Sequence, residues 1–147
     1  MSDEIVVGTD GSPQAAHAVD WAVSLAKRAG MKLLIVHVFE VDPSKLPGGY
    51  AVLPQEDVDR IREHSRQCLE GDWSEPARKT GVSFRTILID GNASGALLEI
   101  AKKEQASQIV VGNRGRGGFS ELLLGSCGHQ LTQHTTIPVT IVPSRRA

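Results

Sequence analysis

The sequence predicts an α/β fold, a parallel sheet with helices on both faces, and three observations carry the prediction. Short aliphatic runs alternate along the chain with longer stretches whose apolar residues recur every three or four positions. Two of the runs, Leu33 to Val36 and Ile109 to Val111, are apolar without interruption, as in strands buried on both faces. Glycine and proline mark the joins, and a strand followed by a crossover helix returns parallel and right-handed.

Glu4 to Thr9 forms the first strand, which stops at Asp10-Gly11. Ser12-Pro13 is a strong helix start, a capping hydroxyl followed by a proline whose missing N–H costs nothing at the first helical position. Ala15, Ala18, Val19, Ala22, Leu25, Ala26 and Ala29 then make an apolar stripe, and Gly30 ends the helix. Lys32 to Phe39 reads as the second strand. Residues 41–54 carry Pro43, Pro47, Gly48, Gly49 and Pro54 and are expected to be irregular. A second helix begins near Gln55, with Val58, Ile61, Ser65, Cys68 and Leu69 on one face and Asp57, Arg60, Arg62, Glu63 and Arg66 largely on the other. Pro76 removes a backbone donor and clashes with the preceding turn, so a kink or restart is expected between Asp72 and Ser74. Ser83 to Ile89 is the third strand and Ala93 to Lys103 the third helix. Gln108 to Gly112 is the fourth strand, Ser126 to His134 the fourth helix, and Val139 to Val142 the fifth strand, bracketed by Pro138 and Pro143. No repeat or linker interrupts the pattern, and residues 1–147 are expected to form one domain.

Forty per cent hydrophobic residues and a formal charge of -1 argue against a nucleic-acid binder, which usually carries a strong basic excess. The two cysteines, Cys68 and Cys127, lie far apart and fit a reducing compartment better than a disulfide scaffold. Nothing in Met1-Ser-Asp-Glu4 resembles a signal peptide, and no apolar run approaches the roughly 18 residues of a membrane span. A cytoplasmic protein is expected.

The chemistry concentrates in residues 108–127. The fourth strand empties into Gly112, Gly115, Gly117 and Gly118, which permit left-handed turns and let main-chain N–H groups approach a ligand. Gly125-Ser126 can cap the following helix, whose free amides and positive dipole end attract anions. This is a candidate phosphate cradle, and a plain surface turn is the other reading of the same glycines.

The spacing, Gly112, two residues, Gly115, nine residues, then Gly125-Ser126, resembles the nucleotide-binding signature of the universal stress protein family. Val7 to Pro13, the His37-Val38 pair and the closing Ile137-Pro138-Val139 also fall where that family has them, so the resemblance covers essentially the whole chain. It implies a five-stranded sheet of order 3-2-1-4-5, with the ligand at the carboxyl ends where the winding reverses. It implies ATP, with magnesium or manganese bound through the phosphates. Nucleotide contacts are then expected from Gly8, Thr9 and Asp10, from the backbone of Val38, from Val111, Gly112, Gly115 and Arg116, and from Gly125, Ser126 and Cys127.

Asp10 has two compatible roles, a ligand for ribose or metal and an Asx turn around Gly11, because a carboxylate has several acceptor sites. Arg114 and Arg116 are either phosphate partners or solvated loop charges, with Arg116 the nearer to ligand by the resemblance. Cys127 replaces the small aliphatic residue common in the family, and Gly128-His129 is also unusual there.

Other chemistries lack their residues. There is no Gly-x-x-x-x-Gly-Lys-Ser/Thr, no Gly-x-Gly-x-x-Gly after the first strand and no Gly-x-Ser-x-Gly elbow. His17, His37, His64, His129 and His134 form no zinc pattern, and His64 with Cys68 supplies only two ligands. The reading is a nucleotide-dependent regulator acting on a client protein, with slow ATP turnover at most. An adenine-nucleotide hydrolase or transferase on the same fold is the alternative, and an interaction module with an empty site is a third. The resemblance also puts the last strand at a sheet edge, where a homodimer is expected.

Overall fold

The computed structural model describes residues 2–40, 54–113 and 126–143. In chain order the elements are β1 (Glu4–Gly8), α1 (Pro13–Ala29), β2 (Lys32–Phe39), α2 (Gln55–Glu70), a 3-10 turn (Asp72–Ser74), α3 (Glu75–Thr80), β3 (Phe84–Asp90), α4 (Ala93–Lys103), β4 (Gln108–Gly112), α5 (Ser126–His134) and β5 (Val139–Val142). The five strands form one sheet of order β3-β2-β1-β4-β5, and every neighbouring pair is parallel. This is the predicted architecture and strand order.

Alternation along the strands divides the core into two layers, since successive side chains point to opposite faces. Ile5, Val7, Leu33, Ile35 and Val110 meet Ala18, Val19, Ala22, Val23 and Ala26 of α1, with Leu69 of α2 and Ala77 of α3. Val6, Leu34, Val36, Ile109 and Val111 meet Leu97, Ile100 and Ala101 of α4 and Leu131 of α5 on the other face. The alanines of α1 let its backbone lie close to the sheet.

Local signals act as expected at α1. The Ser12 hydroxyl accepts from Ala15 N at 3.2 Å, Pro13 opens the helix, and Gly30 closes it with a left-handed φ of 67°. Pro76 lies in the first turn of α3, and the break before it is the 3-10 turn at Asp72–Ser74. The helix that leads to it is more exposed than its stripe suggests. Leu69 is the buried residue of α2, and Ile61 is 43% exposed. Arg62 instead anchors α2 to the sheet, donating to both oxygens of Asp90 at 3.2 and 2.7 Å and lying 5.0 Å above the centre of the Phe39 ring.

At the amino end of the sheet the nearly buried Glu4 accepts from Arg85 at 2.9 and 3.2 Å, and Glu104 pairs with the same guanidinium at 2.8 Å. Hydrogen bonds to the two carboxylates raise the Arg85 pKa above its ordinary value. Two acids, on β1 and just after α4, are thereby tied to β3.

Candidate functional site

The order β3-β2-β1-β4-β5 makes β1 and β4 neighbours, with the chain winding outward from them in opposite directions. In open parallel sheets the crevice beyond the carboxyl ends of such a pair is where ligands bind. β1 ends at Gly8 and β4 at Gly112, so the predicted residues Thr9, Asp10, Val111 and Gly112 stand at this point.

The turn after β1 is closed by its own side chains. Thr9 N–H continues the ladder by donating to the Val36 carbonyl at 2.9 Å. Thr9 Oγ1 then accepts from Gly11 N at 3.2 Å, and Asp10 Oδ1 accepts from Ser12 N at 2.9 Å. The Asx turn expected of Asp10 is therefore present, and it fixes one carboxylate oxygen. Gly11 holds φ at 78°, a left-handed conformation that glycine adopts without strain.

The two strand-end glycines act through packing. A Cβ at Gly8 would stand 2.9 Å from Leu97 Cδ1 and 3.6 Å from Val111 Cγ1, so α4 lies directly over it. A Cβ at Gly112 would stand 3.0 Å from the Gln14 carbonyl oxygen. Gly112 does not take a positive φ, so the left-handed conformation that a glycine permits is not used there. Its small size admits the backbone of α1 to the end of β4.

Val38 lies beyond the last hydrogen bond between β1 and β2. In a parallel ladder alternate residues point their N–H and C=O to the same neighbour. Val36 bonds toward β1, through Thr9, and Phe39 bonds toward β3, through Gly91 N at 3.1 Å. The backbone polar groups of Val38 thus face the β1 side, past the point where that strand has ended, while its side chain packs with the α4 and α5 layer. That is the orientation that backbone reading of a ligand needs.

Cys127 packs against the same layer at the start of α5. Burial first, and the Asp10 charge second, push its thiol up to about 11. The influence of Asp10 on Cys127 brings the end of β1 and the beginning of α5 into one electrostatic neighbourhood. Ser126 opens α5. Gly115, Arg116 and Gly125, with Arg114, Gly117 and Gly118, lie outside the described residues, as does the stretch 41–53.

The sequence reading did not assign His37 or Trp73 a part beside Asp10. His37 Nδ1 donates to the Thr9 carbonyl at 2.8 Å, and its ring meets the Trp73 indole edge to face at 5.1 Å between centroids. The indole also lies where a Cβ on Gly11 would be. A signal was present in the combination of Gly11 and a tryptophan at the predicted helix break, but the two are 62 positions apart and only the fold joins them.

For a metal, Asp10 is the candidate the sequence supplies. Among the described residues no group of three or more His, Cys, Asp or Glu side chains could hold a metal ion. Magnesium usually keeps several waters and is held by one or two carboxylates plus phosphate oxygens, so the Asp10 carboxylate fits an ion that arrives with a nucleotide rather than a protein-built cage.

The fold is that of a doubly wound α/β protein, with the Thr9–Ser12 turn at the switch point of the sheet. The chain belongs to the universal stress protein family, whose model matches residues 1–143. It is 38% identical over 149 residues to the universal stress protein YxiE of Bacillus subtilis, covering 97% of this chain and 99% of that protein. A crystal structure of a universal stress protein family member from Burkholderia pseudomallei superposes with a TM-score of 0.73 at 29% identity, covering 96% of each chain. A universal stress protein in complex with cAMP superposes with a TM-score of 0.67 at 26% identity, covering 97% of each chain. Among the described residues no helix is long and apolar enough to cross a membrane.

Proposed function

We propose that this chain is an ATP-binding universal stress protein, a cytoplasmic, nucleotide-dependent regulator rather than a metabolic enzyme. The observation that carries the reading is the placement of the Asp10 turn beside Val111-Gly112 at the switch point, with the Val38 backbone facing the same crevice. The 26% identical relative in complex with cAMP supports an adenine nucleotide as the ligand class. In this reading Val38 contacts adenine, and Thr9 and Asp10 contact the ribose and a phosphate-borne magnesium or manganese ion. Gly112, Gly115, Arg116, Gly125 and Ser126 receive the phosphates, with Gly8, Val111 and Cys127 forming the floor. ATP supplies the phosphate chain that such a cradle of amides would hold. The same amides stabilise ground-state phosphate without lowering a barrier, so turnover is slow at most.

Native mass spectrometry of freshly purified protein tests the ligand and its fate together. Intact ATP is expected, whereas recovery of product with steady turnover would favour a hydrolase and an empty protein would favour an interaction module. A second test places the phosphates. Gly115→Leu should abolish ATP binding in calorimetry while circular dichroism stays that of the parent, because a side chain would fill the ligand's volume. Undiminished affinity in the folded variant would remove Gly115 from the site.

A further inference from the structure

β2 runs past the end of β1 by three residues, His37, Val38 and Phe39, and its side chains alternate between the two faces of the sheet. Val38 points to the α4 and α5 layer. His37 points to the opposite layer, where Trp73 of the 3-10 turn packs against the core formed with α1. The imidazole therefore stands beside the Thr9–Ser12 turn at the moment that turn leaves the sheet. Thr9 donates its N–H to the Val36 carbonyl, and its own carbonyl is met by a side chain of the same strand.

His37 meets that carbonyl at 2.8 Å. A carbonyl only accepts, so Nδ1 carries the hydrogen, and the bond survives in the neutral Nδ1–H tautomer and in the imidazolium alike. On its other side the ring is held by the edge contact with Trp73. The same indole occupies the space above Gly11, whose left-handed φ of 78° sets the direction in which the chain turns toward Ser12. One aromatic side chain thus bounds both the anchor and the turn. Between them sits Asp10, with Oδ1 committed to Ser12 N.

We propose that His37 is a positioning residue, whose bond to the Thr9 carbonyl and contact with Trp73 hold the Thr9–Ser12 turn in the shape that presents Asp10 to a bound nucleotide. The inference rests on the nucleotide reading above and deepens it. Its chemistry is that of preorganisation: a turn already fixed in the free protein loses no conformational freedom when ligand arrives. His37 acts through the turn and touches no ligand. Trp73 serves as the stop against which the ring and Gly11 are set.

Two substitutions separate a donor from a filler. In His37→Asn the amide nitrogen falls where Nδ1 lies, so the bond to Thr9 is retained, whereas His37→Leu fills space and donates nothing. Amide hydrogen exchange at Gly11 and Ser12 reads the turn without ligand. Calorimetry with magnesium ATP reads its consequence, and a Trp21→Phe background leaves Trp73 as the emitting tryptophan of the described residues. His37→Leu is expected to speed exchange at both amides and to weaken ATP binding by about tenfold, the worth of one hydrogen bond. His37→Asn should stay within about threefold of the parent in both, a difference of less than one hydrogen bond. Trp73 emission should change on adding ATP. Exchange and affinity unaltered in His37→Leu would overturn the positioning role alone, and so would equal losses in the leucine and asparagine variants. Failure of the parent chain to bind ATP would overturn the nucleotide reading and this inference with it, a distinct outcome visible before any variant is made.

Discussion

At the scale of single residues, Cys127 shows how the fold brings distant charges to bear on one atom. Its thiol is disfavoured as a thiolate by burial and then by Asp10, so its pKa stands near 11 in place of its ordinary 9.0. The sign of the consequence follows from proton binding. Between these two values the unfolded chain has released the proton and the folded chain still holds it, so folding weakens as pH rises. The contribution is fully present below about pH 9 and is lost as pH rises through about 11. At pH 10.5 the loss should be about 2 kcal/mol. Urea denaturation of the parent and of Cys127→Ser at pH 8 and pH 10.5 checks this, because other titrating groups cancel in the difference. The parent should lose about 2 kcal/mol more than the variant between the two conditions, and equal losses would mean that Cys127 is not held as a thiol by the fold.

At the scale of elements, β5 is the outermost strand and pairs with β4 on one side only among the described strands. Val139, Thr140 and Ile141 are half-buried, and no proline or inward charge interrupts the four residues. Such an edge is a template for another strand, and pairing with a second copy is the proposed state. Light scattering is expected to give twice the chain mass of 15.8 kDa, and Ile141→Lys should halve it by placing a charge in the shared edge. An unchanged mass in a folded variant would place the interface elsewhere. Much of the element scale was legible beforehand because its signals are local. Ser12-Pro13, Gly30 and Pro76 act within a turn of where they stand, and unbroken aliphatic runs mark strands covered on both faces. The third strand shifted by one residue, from Ser83–Ile89 to Phe84–Asp90, and it runs up to Gly91, whose φ of 139° ends it. What escaped the sequence depends on contacts between distant segments: the indole over Gly11, the approach of Gln14 to Gly112, and the dependence of α2 on Arg62 rather than on its own apolar stripe. The same limit applies to the candidate site. Its β1 turn could be read locally, whereas the His37 anchor appears only when β2 is laid beside β1.

At the scale of the whole molecule, the central place of β1 binds the two halves of the chain into one structure. β2 and β3 lie on one side of it and β4 and β5 on the other, so the halves share a strand rather than a linker. α1 extends the sharing, since its core residues meet β4 and its His17 Nδ1 donates to the Pro143 carbonyl at 3.0 Å. At the amino end, Arg85 joins β3 to Glu4 of β1 and to Glu104 after α4. Opening either half would expose both core layers, and opening the β2–β3 side would also leave Glu4 without its charge partner. We therefore expect residues 1–147 to unfold as one cooperative unit, with far-ultraviolet circular dichroism and tryptophan emission giving the same urea midpoint. Arg85→Met tests the coupling at its charged end. The cost should be about 1–2 kcal/mol, toward the low side for bonds between charged groups, because the guanidinium is half exposed and partly screened. The transition should move to lower urea without broadening. A split between the two probes in the parent would divide the chain into separate units. A split appearing only in Arg85→Met would show that the Glu4–Arg85–Glu104 link, more than the shared β1 strand, couples the halves.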